Sequence, residues 1–121
     1  MNRLWRASVN SWNGIVSAVQ TEMAIRQELV LLALAIPLAF LVTSDVSRRF
    51  VLVGSVTFLL VIELLNTAIE KLCDRITRER DEPIGMIKDL SSAAVGVSLL
   101  FCGCLWLWTI AERALWWFGY R

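Results

Sequence analysis

The chain has 121 residues, 57% of them hydrophobic and 19% charged, and a net charge of +1 at pH 7. The charged fraction lies below the roughly 25% of a soluble domain, and no basic, aromatic-laced surface points to nucleic acid. With no histidine, His-based catalysis and His metal ligation are excluded, and Cys73, Cys102 and Cys104 give neither a disulfide framework nor zinc spacing.

A single domain over residues 1–121 is expected. Residues 2–20 place Leu4, Trp5, Val9, Trp12, Ile15, Val16 and Val19 at helical spacing against Arg3, Arg6, Asn10, Asn13 and Gln20. This predicts a short amphipathic helix on a membrane surface, relaxed at Gly14. The segment lacks the apolar core and small-residue end of a cleavable signal peptide. After a charged junction, Thr21 to Glu28, an apolar run from Leu29 to Val42 contains Pro37. Extended back through Ala24 and Ile25 it reaches the ~20 residues of a membrane span, so a first span is placed at about 24–43. Thr43 to Ser47 reads as a tight turn with N-cap chemistry. A second span follows at about 48–74. Thr77 to Lys88, carrying Pro83 and Gly85, reads as a charged loop before a third span at about 91–117. Trp106, Trp108, Trp116, Trp117 and Phe118 end it as an interfacial anchor.

Three spans put the N-terminus and the charged loop on one side, with Arg3, Arg6, Arg26, Lys71, Arg75, Arg78, Arg80 and Lys88. Arg48, Arg49, Arg113 and Arg121 fall on the other, eight basic residues against four. The positive-inside rule therefore places the N-terminus in the cytoplasm.

Within the second span, Glu63, Asn66, Glu70 and Asp74 share a stripe roughly 80° wide at ~100° per residue. Such groups cost several kcal/mol each against lipid, so they face protein, metal or a water-filled cleft. Magnesium takes oxygen ligands, commonly one or two carboxylates plus substrate phosphates, and Glu22 with Glu70 is the candidate pair. There is no Gly-rich phosphate loop, so Arg3, Arg80 and Lys88 are the candidates for phosphate contacts. Glu63 lies two turns deeper, as a base for a lipid hydroxyl, and Asn66 can brace either carboxylate. The residues alone also admit ion ligands of a small transporter or channel, or polar glue in a bundle. Asp74 fits an interfacial ion pair, and Asp89 the cap of the third span.

Three blocks carry a resemblance: Ser11-Trp12-Asn13-Gly14; Glu22 with Ala24 and Arg26-Gln27-Glu28; and Glu63-Leu64-Leu65-Asn66-Thr67-Ala68-Ile69-Glu70 with Asp74-Arg75. A fourth is Lys88-Asp89 followed by Ser92-Ala93-Ala94. In order and spacing they resemble the small prokaryotic integral-membrane diacylglycerol kinases. The resemblance implies an all-α membrane protein with an N-terminal surface helix and three transmembrane helices per subunit, bundled in a homotrimer of the bacterial inner membrane. It implies transfer of the γ-phosphate of ATP, with Mg2+, to diacylglycerol, giving phosphatidic acid and ADP. By position it makes Glu63 the general base, aided by Asn66, and Glu22 and Glu70 the metal ligands. Nucleotide contacts are Arg3, Glu22, Glu70, Glu79, Arg80, Asp81, Lys88 and Asp89. The lipid cleft takes Arg3, Ser11, Trp12, Ala24, Glu28, Glu63 and Ser92, and neighbouring subunits complete each site. Ser91 stands where Gly is common, a small change, and residues 78–83 lack a Tyr-His pair often seen. Undecaprenol kinase is the alternative within the family. A transporter subunit is disfavoured, because the outer halves of the first and third spans offer no matching charges.

Overall fold

The computed structural model describes residues 2–119, and Arg121 of the basic-residue count lies outside them. Four helices follow in order: α1 (Arg3–Thr21), α2 (Met23–Val42), α3 (Val46–Ile76) and α4 (Glu82–Trp117). The described residues contain no strand. Helices α2, α3 and α4 are each long and apolar enough to cross a membrane. The fold is the all-helical one expected, with an amphipathic N-terminal helix and three candidate spans.

Helix α3 is the central element. Leu52, Ser55, Val56, Leu59, Glu63, Asn66 and Thr67 are buried along it, three or four residues apart, which is one face of a 3.6-residue helix. It packs against Ala35 and Ala39 of α2 and against Ser91, Ser98, Cys102 and Thr109 of α4. Small side chains let helix backbones approach closely where lipid supplies no hydrophobic drive. Ala35, Val56 and Cys102 form the core, with Leu32 and Trp106 against it. Polar ties cross the α3–α4 contact: the Ser55 hydroxyl meets Cys102 Sγ at 3.3 Å, and Trp106 Nε1 donates to the Leu52 carbonyl at 3.2 Å. At the Arg48 end its guanidinium donates to Thr109 Oγ1 at 3.1 Å and to Glu112 at 3.3 Å.

Helix boundaries follow local chemistry, and in places depart from expectation. Asp45 caps α3, accepting from the Ser47 N–H at 3.3 Å, as the turn chemistry predicted. Helix α1 runs unbroken through Gly14, and Pro37 sits inside α2 without ending it. The charged loop is much shorter than expected. Asp81 accepts from the Ile84 N–H at 3.0 Å and starts α4 there. Pro83 falls in the first turn, where its missing N–H interrupts no helical bond. Asp89 is thus inside α4 and is not its cap. At 36 residues, α4 is about 54 Å long, well beyond the ~30 Å of a hydrocarbon core.

The cap gives a test of the fold away from the carboxylates. Asp45→Ala should cost about 1 kcal/mol and lower the thermal midpoint in detergent, while Asp45→Asn retains most of the stability. Equal midpoints for all three would remove Asp45 as a stabilising cap.

Candidate active site

Glu22 occupies the one-residue break between α1 and α2. Its backbone is extended, with φ −120° and ψ 115°, and its N–H bonds the Ala18 carbonyl at 2.8 Å. Arg26 closes the end of α1, its guanidinium donating to the Val19 carbonyl at 2.7 Å and the Gln20 carbonyl at 3.4 Å. These bonds satisfy carbonyls that a helix end leaves open, and they fix the elbow from which Glu22 meets α3. There Lys71 Nζ lies 3.5 Å from Glu22 Oε1 and donates to Thr21 Oγ1 at 3.1 Å.

The polar stripe of α3 divides by depth. Glu63 is 9% exposed and Asn66 7%, whereas Glu70 and Asp74 are exposed. Glu63 lies close enough to Glu70, Glu22 and Glu28 of α2 for their charges to interact. Glu28 Oε2 is buried without a hydrogen-bond partner among the described residues. Asn66 Nδ2 donates to Glu70 Oε1 at 3.3 Å and lies against Glu63. The structure thus brings together Glu22, Glu28, Glu63, Asn66 and Glu70. Asp74 leaves this group: Lys88 Nζ of α4 donates to it at 2.7 Å. An interfacial ion pair was one of its two expected roles.

Carboxylates so placed repel one another, and a cation or a proton relieves the repulsion. Among the described residues, no three His, Cys, Asp or Glu are arranged to enclose a metal ion. Glu22 and Glu70 are at least partly accessible from the wet end.

Two recesses adjoin the group. A cleft of about 450 Å3 separates α1 from α3, between Ser11, Gly14, Ile15, Ser17 and Ala18 on one side and Leu64, Thr67, Ala68 and Lys71 on the other. Its lining is largely apolar, with Lys71 the one charged side chain among the described residues that form it. A basic pocket of about 300 Å3 is lined by Lys71, Asp74, Arg75 and Arg78. A 400 Å3 apolar recess around Phe40 and Phe50 sits at the opposite end of α3, remote from the carboxylates.

The remaining expected residues are dispersed. Ser11 lines the cleft, with its hydroxyl donating to the Ala7 carbonyl at 2.9 Å, and Ala24 is half-buried. Arg3, Trp12, Glu79, Arg80, Asp89 and Ser92 are exposed, and Asp81 is engaged as the α4 cap. Sequence reasoning gave Lys71 no specific role, and treated Ser91 as a small change. Lys71 follows Glu70 directly, and its reach to Glu22 depends on how α1 folds back. Ser91 Oγ donates to Asn66 Oδ1 at 2.5 Å, a contact 25 residues apart along the chain with no periodic signal.

The polar stripe thus sits on one of three helices long and apolar enough to cross a membrane. Residues 9–110 match the prokaryotic diacylglycerol kinase family, and the chain belongs to it. It is similar to the diacylglycerol kinase of Escherichia coli K12, 37% identical over 110 residues that cover 88% of this chain and 90% of that one. The Haemophilus influenzae diacylglycerol kinase is 35% identical over 106 residues, covering 88% and 90%. That of Helicobacter pylori J99 is 33% identical over 104 residues, covering 86% and 81%. The protein is therefore a lipid kinase that takes its phosphoryl group from a nucleotide.

The Asp74–Lys88 pair ties the first turns of α4 to α3 beside the site. Asp74→Asn should speed hydrogen exchange of the amides of residues 82–90, with little change in residues 52–60. Unaltered exchange in both segments would show that the pair does not hold α4 in place.

Proposed function

We propose that the protein transfers the γ-phosphate of Mg-ATP to the free hydroxyl of 1,2-diacylglycerol, giving phosphatidic acid and ADP. The observation that carries this reading is the placement of Glu63. It is a buried carboxylate on an apolar helix, beside an amide and within electrostatic reach of Glu22 and Glu70. In a lipid kinase such a group is suited to take the proton of an acceptor hydroxyl.

Glu63 accepts that proton as the hydroxyl oxygen bonds to the γ-phosphorus and the bond to the ADP oxygen breaks. Asn66 holds Glu70 through its amide and lies against Glu63, setting the spacing of base and ligand. Glu22 and Glu70 would hold magnesium. Two accessible carboxylates with no third fit an ion shared with phosphates rather than a closed protein cage. The ion, when bound, neutralises charge on the transferring phosphoryl group. Arg3, Arg80, Lys88 and Asp89 serve the nucleotide in this reading, with Glu79 and Asp81. Ser11, Trp12, Ala24, Glu28 and Ser92 serve the lipid in this reading, with Ser11 lining the cleft between α1 and α3. Catalysis is then mostly positioning and charge neutralisation.

The exposed contact residues support a homotrimer in which neighbouring subunits complete each site. The basic-residue bias supports an inner-membrane location with α1 and the carboxylates at the cytoplasmic face.

The direct test is Mg-ATP-dependent phosphorylation by purified protein in mixed micelles, with dioleoylglycerol and undecaprenol compared. Faster formation of phosphatidic acid is expected, and faster undecaprenyl phosphate formation would reassign the acceptor. Glu63→Gln should lower kcat by about 100-fold or more and leave Mg-ATP binding by calorimetry intact. Full activity in that variant would remove Glu63 as the base.

A further inference from the structure

Hydroxyls in these helices mostly bond their own backbone. Ser8, Ser11, Thr21, Thr57 and Thr109 each donate to the carbonyl four residues earlier, the usual local bond for Ser and Thr in a helix. Ser91 does not. It is buried, and its Oγ turns out of α4 to Asn66 Oδ1 on α3 at 2.5 Å.

The direction of that bond follows from its neighbours. An ionised carboxylate only accepts, so the Asn66 edge facing Glu70 must be the NH2, as its 3.3 Å bond requires. The amide oxygen is then left for Ser91, whose hydroxyl donates. Were the amide to turn over, its oxygen would meet the Glu70 oxygen that now accepts from the NH2. Ser91 therefore adds a second, buried anchor from another helix to the Asn66 amide, in the orientation that the Glu70 contact selects. The tie joins α4 to the carboxylates of α3 at a buried level, while Lys88–Asp74 joins the same helices at an exposed one.

We propose that Ser91 is a positioning residue for phosphoryl transfer, holding the Asn66 amide toward Glu70 and Glu63. The inference rests on the lipid-kinase site proposed above and deepens it. What reads in sequence as a small replacement of glycine supplies a hydroxyl with a definite task.

The test is a double-mutant cycle on purified full-length protein in micelles, with Mn2+ binding followed by electron paramagnetic resonance beside kcat and KM. Ser91→Ala should lower kcat about fivefold, the effect of one lost hydrogen bond, weaken Mn2+ binding, and leave KM for the lipid within about twofold. Ser91→Thr, which keeps the hydroxyl, should restore both. In an Asn66→Ala background, Ser91→Ala should change nothing further, because the two act as one unit. Wild-type kcat and Mn2+ binding in Ser91→Ala, or full additivity with Asn66→Ala, would overturn the proposal. Thermal melts identify a folding defect, and Ser91→Gly supplies the hydroxyl-free comparison in that event. An inactive wild type would instead overturn the lipid-kinase site itself, an outcome separate from the cycle.

Discussion

A carboxylate at membrane depth must be covered, and much of this architecture answers to that constraint. Glu63 and Asn66 lie on a helix otherwise apolar enough to sit in lipid. Exposing them to hydrocarbon would cost several kcal/mol each, so α3 cannot stand at the edge of the bundle. Helices α2 and α4 pack on either flank of it, small residues at the contact allow close approach, and the polar stripe closes toward protein. The same packing leaves Leu38, Phe40, Phe50, Leu100, Phe101 and other large apolar side chains outward, a surface that lipid or another subunit can cover at no cost in hydrogen bonding.

The stripe has a gradient of burial, on which the proposed division of roles rests. Its buried end keeps a carboxylate and an amide under the influence of protein, while its wet end is reachable by ions and phosphates. A soluble kinase separates a nucleotide cleft from an acceptor cleft by folding loops between them. In the proposed site one helix makes the separation by rise, since seven residues along α3 span about 10 Å. The elbow at Glu22 supplies the missing lateral component, bringing a carboxylate from a helix of different direction to the same place.

Helix identity and the polar stripe were legible in the sequence because both rest on periodicity, which a single strand of text preserves. The N-cap at Asp45 was legible for the same local reason. The start of α4 was not: Pro83 and Gly85 read as breakers, yet Pro is harmless in a first turn, and only the Asp81 side chain bond decides which case applies. Tertiary pairings were least legible. Asp74 had an interfacial ion pair among its possible roles, but Lys88 was assigned to phosphate and not named as its partner. Lys71 with Glu22 and Ser91 with Asn66 depend on the relative rotation of two helices, which no residue spacing encodes.

The Ser91 contact also bears on how conservative a substitution is within one helix. At a lipid-facing position, exchanging Gly for Ser changes little, because the hydroxyl can turn back to its own backbone. At a buried position facing an amide, the same exchange adds a donor to a network in which every other group has a fixed polarity. Glu70 accepts from the NH2, which leaves the amide oxygen to accept from the added hydroxyl. The value of the residue lies in the second anchor it gives the amide, whose other edge is held by Glu70.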